Sequence, residues 1–487
     1  MIPAAAIRKY FLGFGIFFVL ITALVMYTTQ PVLFVLPFLV LIFIWICHDP
    51  FVLFWLLIAF LPWSIEFNVT ETLGTDLPTE PLMLLTTFAT MCFLVYHRKK
   101  KPLEGMARSI LWLFLLLQAS WWLASAYFST DFVLSLKYFL AKTWYIGAFV
   151  VTPYVLFRNP KNLVRTAQVL TISMMVLVIR TMLIHAGMGF GFTSINPALY
   201  PYFRNHVNYS AVLACIIPLL LAGHHFAKTP PRKRLLKVLI AIALAAIALS
   251  YARGAWVSLV AGGIVFLLLR RRLLMPAFFM ALIGASIGIY WLLDSQRYMR
   301  FAGNFNNTVF HTDFREHLQA TYEFKDLSNA ERFYRWVAGV KMVKTHWATG
   351  WGPNTYVKNY KHFTVPAFRT WVSDNPEKST VHNYYLFTTI EQGFVGLFLL
   401  LLVTGYAFYI AQRIYVRSSD PLWRCAAAVA AVILGMECTV NLINDLVETD
   451  KLGSLFYLSL AVLITAEVRF RVERKNADSA SGIRRSL

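Results

Sequence analysis

Residues 11–27 read FLGFGIFFVLITALVMY, a run of seventeen residues without a charged side chain. A helix of roughly 17 to 25 apolar residues is long enough to cross the ~30 Å hydrocarbon core of a bilayer. Similar runs recur along nearly the whole chain, for example VNYSAVLACIIPLLLAG at residues 207–223. Because no small-residue cleavage site follows the first run, we expect it to be a retained span and not a signal peptide.

The composition indicates a membrane protein. Of the 487 residues, 58% are hydrophobic and only 14% are charged, which excludes an ordinary water-soluble fold. Transmembrane β-barrels alternate polar and apolar residues, whereas these runs are uninterrupted. We therefore predict an all-α, polytopic helical membrane protein with about 12–14 transmembrane helices. The five cysteines lie in apolar runs, so neither a disulfide framework nor a thiolate metal site is indicated.

The net charge of +21 reflects the orientation of the spans and not a nucleic-acid surface. Basic clusters occupy every second connection between spans, as the positive-inside rule predicts for cytoplasmic loops. These clusters lie at 8–9, 98–101, 158–165, 228–237, 270–272, 413–424 and from 469 onward. The other connections are then expected on the outer face, at 64–79, 187–206, 252–253, 294–382 and 445–451.

This topology predicts four regions. Spans with short loops cover 1–293, a large and largely helical periplasmic loop covers 294–382, C-terminal spans cover 383–470, and a cytoplasmic tail covers 471–487. The loop is too long and too mixed in composition to be a bare connector. The tail is polar and rich in Ser, Arg and Lys, so we expect it to be disordered.

One arginine is fixed by sequence at the outer end of two spans, in YARG at residues 251–254. The flanking apolar runs, 235–250 and 255–269, leave almost no loop between them. Glycine beside Arg253 permits a tight turn and the close approach of another group. On position alone, a snorkelling arginine that marks a helix end explains the residue equally well.

The long loop contains a predicted helix over about 329–346. Ser328 and Glu331 have the spacing of a capping box, and apolar residues then recur at helical intervals. Arg332 lies in the first turn, four residues before Trp336 on the same face. The positive helix end favours an anion, so an arginine here suggests that an anion binds, although a solvated surface charge is the commoner explanation.

The loop ends in a glycine-rich turn and a histidine. GWGPN at residues 350–354 allows backbone conformations closed to other residues and reverses the chain. His382 and Asn383 then precede an apolar run that begins at Tyr384. A neutral imidazole at the mouth of a span can accept a proton, but a histidine in such a place is more often a polar rim residue.

Taken in order, these residues resemble the O-antigen ligase family, which shares a superfamily with the O-antigen polymerases. The matching pieces are NHVNY at 205–209 as a weaker feature, LSYARGAW at 249–256, Arg332 with Trp336, GWGP at 350–353, HNYYL at 382–386 and EQG at 391–393. The resemblance covers about residues 200–400, while the first 190 residues match only as generic spans.

The resemblance implies a metal-independent, inverting glycosyltransferase that needs no cofactor. Such an enzyme lies in the bacterial inner membrane with its active site facing the periplasm. It transfers a glycan from undecaprenyl diphosphate to an acceptor hydroxyl, with lipid A-core or another glycolipid as the acceptor. The partners expected on this basis are the donor, the acceptor and membrane lipids, and no nucleic acid.

The resemblance also assigns site residues. Arg253 and Arg332 match diphosphate-binding arginines, whose planar forks hold phosphate oxygens bidentately. His382 matches an essential loop histidine, which takes the proton of the acceptor hydroxyl or orients that hydroxyl. These three are the expected catalytic residues. Weaker candidates, for substrate binding, are Arg335, Arg204, Asn383 and Trp336.

Four other charged residues have open roles. Lys137 and Lys142 either line the diphosphate pocket or snorkel to the surface, and we expect snorkelling. Arg180 and Glu437 lie within apolar runs, where an ionisable group is costly unless it is paired or faces a cavity. They pair either with one another or with residues of the pocket.

Other functions stay open at this point. An O-antigen or exopolysaccharide polymerase and a protein O-oligosaccharyltransferase would use the same donor chemistry and differ in the acceptor. A transporter of lipid-linked glycans belongs to a different class and would line a path with charged residues near the midplane. The gathering of the polar residues on one face disfavours transport, as does the lack of a convincing internal repeat.

Overall fold

The computed structural model describes residues 4–28, 40, 45–46, 49–70, 73–295, 297, 327–365 and 379–485. These residues are mostly helical, which confirms the all-α class. Within them the exception is one antiparallel hairpin of strands β1 (Ile65–Thr70) and β2 (Leu73–Leu77), which pairs Glu66 with Asp76.

The α-helices follow in chain order. They are α1 (Ala4–Thr28), α2 (Val52–Phe60), α3 (Thr79–Tyr96), α4 (Ile110–Tyr127), α5 (Phe132–Ile146), α6 (Thr152–Phe157), α7 (Pro160–Gly187), α8 (Ile195–Leu199), α9 (His206–Phe226), α10 (Pro230–Leu249), α11 (Arg253–Arg271), α12 (Leu274–Leu293), α13 (Leu327–Thr345), α14 (Tyr356–Asn359), α15 (Tyr384–Arg417), α16 (Pro421–Val440) and α17 (Asp450–Arg485). A π-helical turn, Gly147–Val151, joins α5 to α6, and short 3₁₀ turns lie at Leu61–Trp63, Arg98–Lys100, Met106–Arg108, Tyr360–Phe363 and Leu446–Glu448.

Ten helices of the described part of the chain are long and apolar enough to cross a membrane, with α5 and α6 counted as one. Two shorter apolar helices, Gly15–Met26 and Val52–Trp63, accompany them. Helix α10 begins with basic residues and is apolar from Val238 onward. Together these helices agree with the range of about 12–14 that the sequence predicted. The protein is therefore a multi-pass membrane protein.

The connections gather at two ends of the bundle, as the alternating basic clusters predicted. At one end, the ammonium of Lys451 donates to the carbonyls of Ser64 (3.1 Å) and Tyr202 (2.7 Å), which joins three separate connections. We call this end the loop face. It comprises residues 64–70 and 73–78, 128–131, 188–205, 250–252, 294–295, 346–365, 379–383 and 441–449.

The opposite end carries the basic clusters, and we call it the basic face. Here Arg158 donates to the carbonyl of Pro102 at 3.1 Å, and the guanidinium of Arg471 donates to the carbonyl of Arg108. It comprises residues 97–109, 158–159, 227–229, 272–273, 418–420 and the last turns of α17. The ten long apolar helices thus run from one face to the other.

Small residues let the central helices approach closely. A Cβ added at Gly262 of α11 would lie 2.3 Å from Cε of Met436 on α16, and one at Gly435 would lie 2.6 Å from Val265. Small residues at helix crossings are typical of membrane proteins, where close backbone approach adds van der Waals contact. This crossing brings the start of α11 next to the end of α16, at the loop face.

The C-terminal boundary differs from the expectation. The tail over 471–487 was predicted to be disordered, but α17 continues without a break to Arg485. Once a helix is packed over its first five turns, each further residue adds one backbone hydrogen bond without a new nucleation cost. The tail also contains Glu, Arg, Lys and Ala, which are good helix formers.

Candidate functional site

Residues 380–383 form a short non-helical segment that leads into α15, and helix α13 holds it from one side. The indole N–H of Trp336 donates to the carbonyl of Val381 at 2.9 Å, and Arg335 donates to the carbonyl of Thr380 at 3.4 Å. The predicted helix of the long loop therefore exists, over Leu327–Thr345, and two of its side chains fix the backbone beside His382.

The loop after α16 holds the same segment from the other side. The side-chain amide of Asn383 donates to the carbonyl of Leu442 at 2.9 Å. The backbone N–H of Tyr384 is shared between the carbonyls of Asn441 (2.9 Å) and Asn444 (3.0 Å). The carbonyl of the Asn383 side chain also accepts from the N–H of residue 386, so this residue caps α15 as well. The segment is thus clamped between α13 and residues 441–444.

His382 has a left-handed backbone conformation, with φ of 52°. Its Nδ1 lies 3.7 Å from Oδ1 of Asp445, and about one third of its side chain is exposed, against 13% for Asp445. The other carboxylate oxygen of Asp445 accepts a hydrogen bond from the hydroxyl of Thr380. The carboxylate is therefore fixed beside the imidazole, while the rest of the ring faces an accessible space.

Arg253 begins helix α11 at the edge of the same group of residues. A Cβ added at Gly254 would lie 3.5 Å from Cδ1 of Ile443, which belongs to the loop that holds Asn383. From the sequence we expected Gly254 to permit the tight turn. The left-handed residue is instead Tyr251, with φ of 58°, and its hydroxyl donates to the carbonyl of Phe190 at 2.7 Å. The glycine serves the close approach and not the turn.

The two arginines of α13 have different environments. Arg335 is buried, with 6% of its surface exposed, and its guanidinium lies 3.1 Å from the carboxylate of Glu331. Arg332 is half-buried and lies one turn before Trp336, so it projects on the same face as the indole that binds Val381. Arg335 thus binds both Glu331 and the carbonyl of Thr380, whereas the half-buried Arg332 is closer to solvent.

A kink in α15 provides the hydrogen-bond acceptors that hold the glycine-rich turn at 350–354. Helix α15 is interrupted at Gly393, with φ of 69°. The carbonyls of residues 390 and 391 thereby become available and accept from the N–H groups of residues 351 and 352, at 2.9 Å each. A Cβ at Gly393 would lie 2.0 Å from the carbonyl oxygen of Ala348, so this packing excludes a side chain.

Glu391 ties the turn to the helix and had no predicted role. Its side chain is fully buried, and its carboxylate accepts from the N–H groups of Asn354 (2.7 Å) and Tyr356 (3.0 Å). Gly350 and Gly352 have φ of 73° and 103°, in the left-handed region expected for this turn. The EQG piece of the sequence is thus an anchor for the loop that carries α13.

Lys142 does not reach the surface as expected. It is 4% exposed, and its ammonium lies 2.8 Å from the carboxylate of Glu448. Glu448 also accepts from the hydroxyl of Tyr138 at 3.1 Å. The prediction that Lys142 snorkels was wrong, because the carboxylate of Glu448 binds its ammonium within the bundle. Lys137 is exposed, as a snorkelling lysine would be.

Arg180 and Glu437 do not pair with one another. Arg180 donates to the carbonyls of Ala198 and Tyr200, at 3.4 Å each, and lies over the ring of Tyr202. The carboxylate oxygens of Glu437 are buried and have no hydrogen-bond partner within the described residues. Arg180 therefore binds the 196–204 connection, and Glu437 lies in the interior of the bundle without this partner.

Arg204 lies apart from the other predicted site residues, in a neighbouring polar cavity of about 660 Å³. The hairpin, the 196–204 connection and the start of α17 line this cavity, and its acids include Asp76 and Asp450. Burial, with a smaller contribution from Asp450, raises the pKa of Asp76 from its ordinary value of 3.8 to about 7. Asp445 directly precedes the 3₁₀ turn Leu446–Glu448, and Thr449, the first residue after that turn, lines the cavity.

The structure therefore brings most of the predicted site residues to one place on the loop face. Trp336, Arg335, His382 and Asn383 meet at residues 380–383, and the turn before α11 abuts the adjoining loop. Arg332 lies one helical turn away, and Arg204 lies in the next cavity. This arrangement defines a multi-pass membrane protein with a polar site built from loops at one end of its helices.

Residues 238–401 match the family model described as O-Antigen ligase. This match supports the resemblance to the O-antigen ligase family that was drawn from the sequence. The matched segment includes Arg253, Arg332, His382 and Glu391, whereas Arg204 and Asp445 lie outside it. No curated protein sequence matches the chain significantly. The family implies a glycosyltransferase-like enzyme that acts on lipid-linked glycans at a membrane.

Proposed function

We propose that the protein is an O-antigen ligase-type glycosyltransferase, which moves a glycan from undecaprenyl diphosphate to a hydroxyl of lipid A-core. It would act in the bacterial inner membrane with the loop face toward the periplasm. The observation that carries this proposal is the clamp on residues 380–383, which holds His382 beside Asp445 and near the start of α11. The large loop over 294–382 would supply Arg332 and His382, and the spans would supply Arg253.

His382 fits the role of general base. The acceptor hydroxyl gives its proton to the imidazole while its oxygen attacks the anomeric carbon of the donor sugar. The bond from that carbon to the diphosphate oxygen breaks, and undecaprenyl diphosphate leaves with the electron pair. Attack from the side opposite the leaving group inverts the anomeric centre. Asp445 at 3.7 Å stabilises the imidazolium that forms.

Arg253 and Arg332 fit the role of stabilising the leaving group. Negative charge develops on the diphosphate as the glycosidic bond breaks, and a guanidinium holds phosphate oxygens in two parallel hydrogen bonds at any working pH. Preorganised donors of this kind contribute roughly a hundredfold to a thousandfold each in comparable sites. These cations would do the work that a metal ion does in other transferases, so the reaction should survive a chelator.

A reconstituted transfer assay tests the proposal. Purified protein is mixed with an undecaprenyl-diphosphate-linked glycan and, separately, with lipid A-core or with fresh lipid-linked repeat units, in the presence of chelator. The His382→Ala variant should lose roughly 10²- to 10⁴-fold of the transfer rate to lipid A-core. His382→Asn is the matched control for the backbone, because asparagine tolerates the left-handed conformation at this position. It should fold like the wild type and be as inactive as His382→Ala.

The outcomes separate the acceptors. Transfer to lipid A-core that depends on His382 supports a ligase. Chain growth on the carrier would replace it with a polymerase, and transfer to neither would leave a protein-directed transferase or a transporter. Wild-type transfer rates in both His382 variants would refute the site assignment whatever the acceptor.

A further inference from the structure

A second polar cavity lies at the basic face, between the end of α15 and the last turns of α17. Its volume is about 630 Å³. The lining consists of two apolar residues, one acid and four bases, namely Ile410, Phe470, Glu467, Arg413, Arg471, Arg474 and Lys475. The cavity is at the opposite end of the helices from His382, so the proposed transfer reaction does not account for it.

The acid of this cavity is already satisfied. Glu467 is 1% exposed, and its carboxylate accepts from the hydroxyls of Ser109 (2.6 Å) and Tyr406 (3.0 Å). It also lies 2.6 Å from the guanidinium of Arg471, four residues later on α17. Glu467 therefore neutralises Arg471 and has no further charge with which to balance the other bases.

Two arginines around the cavity have no acid partner among the described residues. The guanidinium of Arg413 lies over the ring of Phe470, 5.8 Å from its centre, and the buried Nε of Arg413 makes no hydrogen bond within the described residues. Neither Arg413 nor Arg474 forms an ion pair with any residue that the structure describes. Lys475 also lines the cavity. Like charges around one cavity repel one another, and an anion between them converts the repulsion into attraction.

The chemistry of the cations selects a phosphate group. Guanidinium groups match the oxygens of phosphate in two-pronged hydrogen bonds, and an ammonium adds a point charge. Basic pockets between transmembrane helices on the positively charged side of a membrane protein bind anionic lipid headgroups. Tyr409 lies one turn before Arg413 on α15 and is 40% exposed, and Phe398, eleven residues earlier on the same helix face, is 62% exposed. Acyl chains could lie along that face of α15.

We propose that this cavity binds the phosphate of an anionic phospholipid headgroup. Free phosphate shares the chemistry and is the other source to be distinguished. Full-length protein purified in neutral detergent is incubated with phosphatidylglycerol or phosphatidylcholine, and retained lipid is measured by native mass spectrometry. The wild type should prefer phosphatidylglycerol by roughly tenfold to a hundredfold, and R413Q/R474Q/K475Q should lose most of that preference.

A matched control removes the same charges elsewhere on the basic face. R232Q/K233Q/R234Q replaces two arginines and one lysine at the exposed start of α10, and it should keep the wild-type preference. If the triple cavity variant folds poorly, the exposed Arg474→Gln alone should reduce the preference about threefold to tenfold. Displacement of the lipid by millimolar phosphate would identify free phosphate as the ligand, and resistance to it would identify the lipid. Equal preference in the cavity variants and the wild type would overturn the phosphate site.

Discussion

The two faces of the bundle use charge differently. On the loop face, acids and bases pair with one another or hold non-helical backbone, as Lys142 does with Glu448 and Glu391 does with the turn at 350–354. On the basic face, guanidinium groups donate mainly to carbonyls near helix ends, as Arg424 does to Tyr415 at 3.0 Å. Carbonyls at helix C-termini lack helical partners and attract cations.

This contrast indicates which charged residues depend on the geometry of their hydrogen bonds. A cation beside helix-end carbonyls tolerates replacement by another cation, since the contact is exposed and electrostatic. A charged group that orders a loop or binds a diphosphate depends on the number and direction of its hydrogen bonds. Matched substitutions at the two faces should therefore have unequal effects on the transfer rate and on stability.

The largest contrast is expected between the two ends of α11. Arg253→Lys on the loop face should lower the transfer rate roughly 10²- to 10³-fold, because a point charge replaces a bidentate fork at the leaving group. Arg270→Lys on the basic face makes the same chemical change and should leave the rate within about twofold. Both are measured in the reconstituted assay. Equal losses in the two variants would place the effect in the stability of α11 and not in phosphate binding.

A second pair tests anchoring of the loop. Glu391→Ala removes the acceptor of one buried and one part-buried backbone N–H group, and a buried group costs about 1–3 kcal/mol when left unsatisfied. Glu473→Ala on the basic face removes the acceptor for Ser418 and Ser419, where water can substitute, so its cost should stay below about 1 kcal/mol. Thermal unfolding in detergent measures both. A Glu391→Ala protein as stable as Glu473→Ala would contradict the anchor.

Much of the loop face was predictable because its signals are local. Apolar runs marked the spans, and helical spacing after Ser328 gave α13 to within two residues at each end. The glycines of GWGPN predicted backbone conformations closed to other residues, and Gly350 and Gly352 have such conformations in the structure. Each of these properties depends on neighbours within a few residues, and a single sequence contains that information.

The partners of these elements were not predictable, because they come from distant parts of the chain. Asp445 lies 63 residues beyond His382, and no periodicity links the two. Glu391 carried a hint, since an acid near the start of an apolar run is costly unless it is bound. Its ligands, two N–H groups of the preceding loop, depend on the kink at Gly393, which becomes apparent only in three dimensions.

A smaller effect should follow from changing the partner of His382. Asp445→Asn keeps an acceptor for Thr380 but removes the negative charge 3.7 Å from the imidazole. The transfer rate should fall about tenfold, on the order of one charge–charge interaction at this distance near a protein surface. If Asp445 acts by stabilising the imidazolium, the pH dependence of the rate should shift as well. An unchanged pH profile with the same loss of rate would indicate that Asp445 only orders the segment.

The smallest expected effects concern two acids of the loop face whose pKa values move in opposite directions. Burial raises the pKa of Asp76 to about 7, so the folded state binds a proton there that the unfolded chain has released. Stability should therefore fall as the pH rises from about 4 to about 7. Asp76→Asn removes this cost, and its apparent unfolding temperature should exceed that of the wild type at pH 8 by a few degrees. The gain should shrink as the pH approaches 4.

Asp131 provides the control of opposite sign. The N–H of Leu134 and the ammonium of Lys358, at 3.1 Å each, lower the pKa of this carboxylate. Its contribution is present at neutral pH and is lost as the pH falls through the lowered pKa. Asp131→Asn should therefore unfold at a lower temperature than the wild type at pH 8, and the deficit should diminish in acid. If both variants respond to pH with the same sign, the shared cause is the net charge of the loop face and not the burial of Asp76.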